Sequence, residues 1–114
     1  MKEQELFERY RNGERNFQKS NLEGSRLFKA NLDGSDFSDS NLFNADWANC
    51  SLVGVNFNGA NLWKVRFSNC DLRGANLGNI GFINASFDHS IYDENTIFPG
   101  RFDPDWEEMY KKER

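Results

Sequence analysis

Two cysteines, Cys50 and Cys70, and one histidine, His89, are the side chains here with the most inherent reactivity. Thiolates and imidazoles bind zinc, and two cysteines can also form a disulfide. A run of carboxylates, Asp33, Asp36, Asp39 and Asp46, is the densest acidic stretch. Two carboxylates facing one cleft would suit glycoside hydrolysis. Serines recur at Ser20, Ser25, Ser35 and Ser40, and a serine triad needs a histidine, for which His89 alone is available. Gly34, Gly54 and Gly74 raise the thought of a phosphate loop, which needs a helix directly after it. What any of these can do depends on the elements that hold them.

Those elements follow from an unusual period. Large apolar residues recur every fifth position: Phe17, Leu22, Leu27, Leu32, Phe37, Leu42, Trp47, Leu52, Phe57, Leu62, Phe67, Leu72, Leu77, Phe82, Phe87. Helices want spacings of three and four, and strands want two. Two places before each centre stands a small or apolar residue, broken only by Arg15. Residues two apart in extended chain share a face, so each five points one small and one large side chain inward. The residue between them points out and is usually Asn or Asp. The last of each five is Gly or Asn in ten of fifteen cases, residues that tolerate the positive φ of a tight turn. Each five therefore makes one short side and one corner, and repeated corners of one hand wind a solenoid.

Spacing twenty sorts the centres better than spacing fifteen. It aligns Phe17, Phe37 and Phe57, then Leu22, Leu42 and Leu62, and also Gly34, Gly54 and Gly74. Four sides per coil are expected, with like residues stacked about 4.8 Å apart. Burial of fifteen such side chains contributes roughly 20–45 kcal/mol gross, much of it offset by backbone ordering.

The tandem A/S-N/D-L/F-x-x pattern resembles the pentapeptide-repeat family over about residues 15–92. The resemblance implies an all-β solenoid, a right-handed quadrilateral parallel β-helix of nearly four coils; the handedness comes from the family alone. The lead-in ELFERYRNGERNF and the tail YDENTIFPGRFDPDW look like those of members from photosynthetic bacteria, which extends the match to nearly the whole chain.

Solenoid ends expose core and unpaired backbone and need caps. Residues 1–14 are expected to form an N-terminal helical cap, with Leu6, Phe7 and Tyr10 at helical spacing before Gly13. Residues 15–92 form the β-helix. Residues 93–114 form a C-terminal cap, with Phe98 and Phe102 plugging the last coil. Asp103-Pro104 there reads as the start of a short helix whose face carries Trp106, Met109 and Tyr110. That face is either a cap or, as the family resemblance implies, a dimer contact.

On this scaffold the reactive residues lose their reactive meaning. Cys50 and Cys70 fall in one inward column of adjacent coils. In-register stacking holds them farther apart than the Cβ separation of about 3.8 Å that a disulfide prefers, so free buried thiols are expected. His89 lies at a solvated corner. One histidine and two inward cysteines make no sensible zinc site. The serines fill inward small slots, the acidic run faces several directions, and the glycines are corners. No cofactor, metal, small-molecule substrate or catalysis is expected.

Composition points the same way. Hydrophobic residues are 38% and mean hydropathy is -0.80, yet Phe occurs 11 times, which disordered chains avoid. Net charge is -4, which disfavours direct nucleic-acid binding. The charged start MKEQELFERY has no apolar h-region and no run reaches membrane length, so a cytoplasmic location is expected. On one outward column Arg26, Asp46 and Arg66 alternate in sign. The outward feature that solubility does not explain is Phe43, Trp63 and Ile83, which should stack as an apolar stripe bordered by Asn44, Lys64 and Asn84. Contiguous exposed apolar surface marks interaction, and Trp is a favoured anchor there. Mutual support along the solenoid, or cover by a terminal helix, would explain the stripe equally well.

Two functions follow. The first is a small rod-like protein-binding or structural scaffold, with an unknown protein partner or self-association through Phe43, Trp63 and Ile83. The second comes from the resemblance: some members mimic duplex DNA and bind gyrase, a type II topoisomerase. That role favours a long acidic rod, whereas the repeats here are few and carry balanced charge.

Overall fold

The computed structural model describes residues 1–105 and 108–112. Parallel pairing at a step of twenty residues runs through the chain. Asn16, Asp36, Asn56 and Asn76 form one ladder, Asn21, Asn41, Asn61 and Gly81 a second, and Asn31, Ser51, Asp71 and Ile91 a third. On the remaining side the pairing widens into true strands: β1 (Arg26–Phe28), β2 (Asp46–Ala48) and β3 (Arg66–Ser68), which pair in order with Arg26, Asp46 and Arg66 in register. Arg66 continues to Ser86. Four ladders and a twenty-residue step make a β-solenoid with four sides to a coil.

The corners show why the sequence winds this way. All fifteen corner residues, from Lys19 to His89, adopt positive φ, five of them glycines and the other ten side-chain-bearing. At most corners the next inward residue donates its N–H to the preceding centre, as Ser35 does to Leu32 at 3.1 Å and Ala45 to Leu42 at 2.9 Å. Positive φ at the third residue is what such a type II turn requires. The outward Asn and Asp complete the turn. Asn21, Asn31, Asn41, Asn56, Asn61 and Asn76 each accept, through Oδ1, the N–H two residues on. This side-chain cap of a turn gives the Asn slot a structural reason.

Inside, the centres stack. Phe17, Phe37 and Phe57 lie face to face at 5.4 and 5.8 Å between centroids. Trp47 stacks on Phe67 at 5.3 Å in a neighbouring column. Every centre is buried except Phe82, which is partly exposed near the end of the repeats. The described protein measures 35 × 30 × 21 Å, so the few coils make a squat prism rather than a rod.

At the first coil, α1 spans Glu3–Arg11, with Glu3 and Glu5 in its first turn and Arg9 and Arg11 in its last, as its dipole favours. Leu6 is buried in the core. Three groups around α1 satisfy backbone atoms that have no coil beneath them. The Met1 ammonium donates to Asn21 O at 2.6 Å, Tyr10 Oη donates to Asp33 O at 2.8 Å, and the Glu3 carboxylate accepts from Arg26 N at 2.9 Å.

The other end departs from the expected helix. The register gains one residue, so Asn76 pairs with Ile97, and Thr96 Oγ1 donates to Leu72 O at 2.9 Å. Phe98 and Phe102 then stack on one another at 5.0 Å, and Phe102 meets Phe82 and Phe87 edge to face. No helix forms in the described part of residues 103–112. Asp103 caps a turn by accepting from Asp105 N, and Met109 N donates to Pro104 O at 3.1 Å. The chain then extends as β5 (Tyr110–Lys111), parallel to β4 (Ile91–Tyr92). The physical reason is the edge it meets. Ser90 O and Tyr92 O, on the last coil, accept from Tyr110 N and Lys112 N, and His89 N donates to Glu108 O. Unpaired ladder groups at a sheet edge template another strand, and here they outweigh a local helix start.

Candidate functional site

The apolar stripe lies on the second ladder's side. Each member follows an inward centre, at the first position of a corner, so its side chain points away from the core. Asn44 N donates to Trp63 O at 3.0 Å and Lys64 N to Ile83 O at 2.8 Å, which sets the three residues on consecutive rungs. Phe43 is half-buried, Trp63 is 44% exposed and Ile83 is 56% exposed. No described helix covers them. Asn41 and Asn61 hold the N–H groups of Phe43 and Trp63 through Oδ1 at 3.0 Å.

Trp63 has a seat of its own. The slot that reads Asn21, Asn41 and Asn61 on lower rungs reads Gly81 above Trp63. A Cβ at Gly81 would lie 2.6 Å from the Trp63 Nε1 atom and 3.0 Å from its Cδ1. The indole therefore occupies the space that a side chain at residue 81 would fill. Sequence reasoning placed the stripe but missed this seat, although the break in the Asn column signals it.

The stripe also borders a cationic corner. A shallow cleft beside it is lined by Gly24, Arg26, Asn44, Asp46, Lys64 and Arg66. Arg66 Nη1 lies 4.0 Å from Asp46 Oδ2, and Lys64 Nζ sits 5.8 Å from the Phe43 ring centroid. The alternating column of Arg26, Asp46 and Arg66 is legible in the sequence. The convergence of Lys64 onto it from the adjoining side is not, because it depends on how the corner folds.

The other candidates are not brought together. Cys50 and Cys70 are free and buried. Cys70 donates to Trp47 O at 3.3 Å, and the neighbouring Cys50 thiol, with burial second, pushes its own thiol well up. His89 is exposed, its ring 5.5 Å from that of Tyr110. Asp33 accepts from Ser51 Oγ and Val53 N, and Asp46 faces Arg66. For Asp36, burial pushes the carboxyl up, but hydrogen bonds from Gln18 and Ser38 outweigh it and hold it below its usual value. These carboxylates serve turns and ladders, each in its own place. Ser40 Oγ donates to Phe17 O, and Ser25 Oγ accepts from the Trp47 indole at 2.9 Å. Among the described residues no cluster of histidine, cysteine and carboxylate could hold a metal ion. No described helix is long and apolar enough to cross a membrane.

Met109 and Tyr110, expected on one helical face with Trp106, do not lie in a helix. Trp106 lies outside the described residues. Met109 is buried and Tyr110 is 54% exposed, as consecutive residues of extended chain must alternate.

Comparison with known proteins agrees with this architecture. A search of curated proteins returns no significant match. Among solved structures, a pentapeptide repeat protein from the Arabidopsis thaliana thylakoid lumen is similar with a TM-score of 0.71 at 21% identity, over 75% of this chain. The pentapeptide repeat protein alr5209 from Nostoc PCC 7120 is 27% identical, with a TM-score of 0.53 over 97% of this chain and 96% of its own. HetL, a Nostoc pentapeptide repeat protein involved in heterocyst differentiation regulation, is 24% identical with a TM-score of 0.53 over 80% of this chain. The chain spans 59% of the Arabidopsis protein and 47% of HetL. The profile of the pentapeptide repeat region matches residues 12–77, more than half of the sequence, and the chain belongs to the pentapeptide-repeat family.

Proposed function

We propose that this chain is a non-catalytic protein-binding module whose contact surface is the stripe Phe43, Trp63 and Ile83. One observation carries the reading: three large apolar side chains stand on consecutive rungs of a rigid side, and no described element covers them. Solvated repeat slots have no need of Trp and Ile, and a rimmed apolar strip has the general form of an interface. The stripe residues are outside the core, so function and fold can be separated by substitution. The partner is a protein, and the module adds surface rather than chemistry. The duplex-mimic reading gains no support from this surface, where Arg26, Lys64 and Arg66 outnumber Asp46.

The test is a paired capture with wild-type and Trp63→Ser baits from the source cell. Thermal melts first establish that both are folded. A protein retained by wild type and lost from Trp63→Ser is the expected result. Identical captured sets from the two baits would overturn the reading. Gyrase supercoiling should proceed unaltered in the presence of the purified protein.

A further inference from the structure

The partner's chemistry can be drawn from what surrounds the stripe; this step rests on the stripe being a docking surface. Two features lie side by side. One is the apolar line Phe43, Trp63, Ile83, with one anchor per rung. The other is the cleft at the adjoining corner, lined by Arg26, Lys64 and Arg66 with Asp46; Glu23 and the Glu3 carboxylate, which accepts from Arg26 N, lie at the lowest rung. The chain as a whole carries a net charge of -4, so the pair Lys64 and Arg66 beside Trp63 runs against its background. Lys64 and Arg66 lie on Trp63's rung, Asp46 on Phe43's, and Arg26 one rung lower beside Glu23, so the positive charge gathers at the middle of the stripe.

Spacing then selects the shape of the partner. Rungs of a parallel ladder lie about 4.8 Å apart. Side chains at i, i+3 or i+4, and i+7 of an α-helix share one face and advance about 5–6 Å per step. A helix lying along the solenoid axis would set an apolar residue against each of Phe43, Trp63 and Ile83. An extended strand in that direction repeats a face every 6.6–6.8 Å or so and would slip out of step by the third rung. Arg26 and Arg66 lie two rungs apart, which again matches about two helical turns. Acidic residues flanking the helix's apolar face would meet them and Lys64.

We propose that the stripe and its cationic corner together bind a short, acidic, amphipathic α-helix of a partner protein, aligned with the solenoid axis. The apolar line supplies the buried contact, and the corner fixes which face and which sign of charge it accepts. Nucleic acid fits less well, because Asp46 sits amid the cations and Glu23 heads the stripe's column. Gly81 acts as a positioning residue, for its missing side chain lets the Trp63 indole lie where it does.

Fluorescence anisotropy with the full chain tests this. The probes are a labelled peptide of about three helical turns with Leu at i, i+3, i+7 and flanking Glu, the same peptide with Lys for Glu, and labelled oligothymidylate. Tighter binding of the acidic peptide, by about tenfold or more over the basic one and weakening with salt, is expected. Lys64→Glu should erase that preference. Gly81→Asn restores the residue of the lower rungs, and with no positive φ at 81 its effect falls on Trp63; it should weaken the acidic peptide by about tenfold while the melt holds. Equal binding of both peptides, with loss in Trp63→Ser, would overturn the acidic preference and leave the stripe reading standing. No effect of either Trp63→Ser or Gly81→Asn would remove the stripe reading itself. No peptide binding up to about 1 mM, or preference for the oligonucleotide, overturns the proposal. So does a dimer of the chain alone that Trp63→Ser abolishes, since the occupant is then a second copy.

Discussion

Replacing Ser35 with Ala should stabilise this protein, while the same change at Ser25, Ser40 or Ser90 should destabilise it. All four occupy inward small slots and are buried, so sequence position alone predicts one outcome for all. The structure separates them. Ser35 Oγ is buried without a hydrogen-bond partner among the described residues. Ser25 Oγ accepts from the Trp47 indole at 2.9 Å. Ser40 Oγ donates to Phe17 O at 3.1 Å and accepts from Ser20 N at 3.0 Å, and Ser90 repeats that arrangement with Phe67 O and Cys70 N. Burying a hydroxyl without a partner costs about 1–3 kcal/mol. Alanine already fills the same slot at Ala45, Ala60 and Ala75, so Ser35→Ala adds no strain. A gain of about 1 kcal/mol is expected. Ser25→Ala strands a buried indole N–H and should cost about 1–3 kcal/mol, with Ser40→Ala and Ser90→Ala similar. Urea unfolding reads this directly: at a slope of about 2 kcal/mol/M, Ser35→Ala moves the midpoint up by about 0.5 M. A midpoint for Ser35→Ala that falls with the other three would refute the reasoning, because burial alone would then govern the slot.

Phe57→Ala, at the end of the stacked Phe column and fully buried, should cost about 3–5 kcal/mol, whereas outward Asn58→Ala should stay under about 0.5 kcal/mol, both by chemical denaturation. Trp63→Ser should change stability by about 1 kcal/mol or less, since the side chain lies outside the core. Thiol titration should find both cysteines in denaturant and few in the native state. Glu3 accepts from Arg26 N, the largest of the causes that hold its carboxyl below the usual value. Its contribution is therefore present above the unfolded value of about 4.3 and is lost as pH falls through the depressed folded value. Glu3→Gln should accordingly flatten that part of the acid unfolding curve followed by circular dichroism.

The fold was legible because its period is enforced at every fifth residue by packing. Away from the ends of the repeats, the centres, inward slots and corners read from the sequence are the positions that the structure stacks, buries and turns. Lys19, Asp39 and His89 adopt positive φ like the glycines, so position in the repeat overrides the residue's own preference. The stripe was legible for the same reason, as an outward slot carrying the wrong residue types. The C-terminal strand was not, because β5 is set by backbone groups of Ser90 and Tyr92 that no local pattern announces. The meeting of Lys64 with Arg26 and Arg66 was hidden likewise, since it joins two sides across a corner.

The twenty-residue step has a consequence for how such a surface can change. Each rung hands its backbone pairing to the next in register, from Asn16 to Asp36 to Asn56 and from Arg26 to Asp46 to Arg66. A duplicated coil inserted between two rungs meets the same pairing above and below. It would lengthen the stack by about 4.8 Å and leave every other side in place. The apolar line would gain one anchor and the charged corner one more position, both in phase. The reach of this surface is therefore counted in whole coils, which duplication of a coil lengthens and deletion of one shortens in single steps.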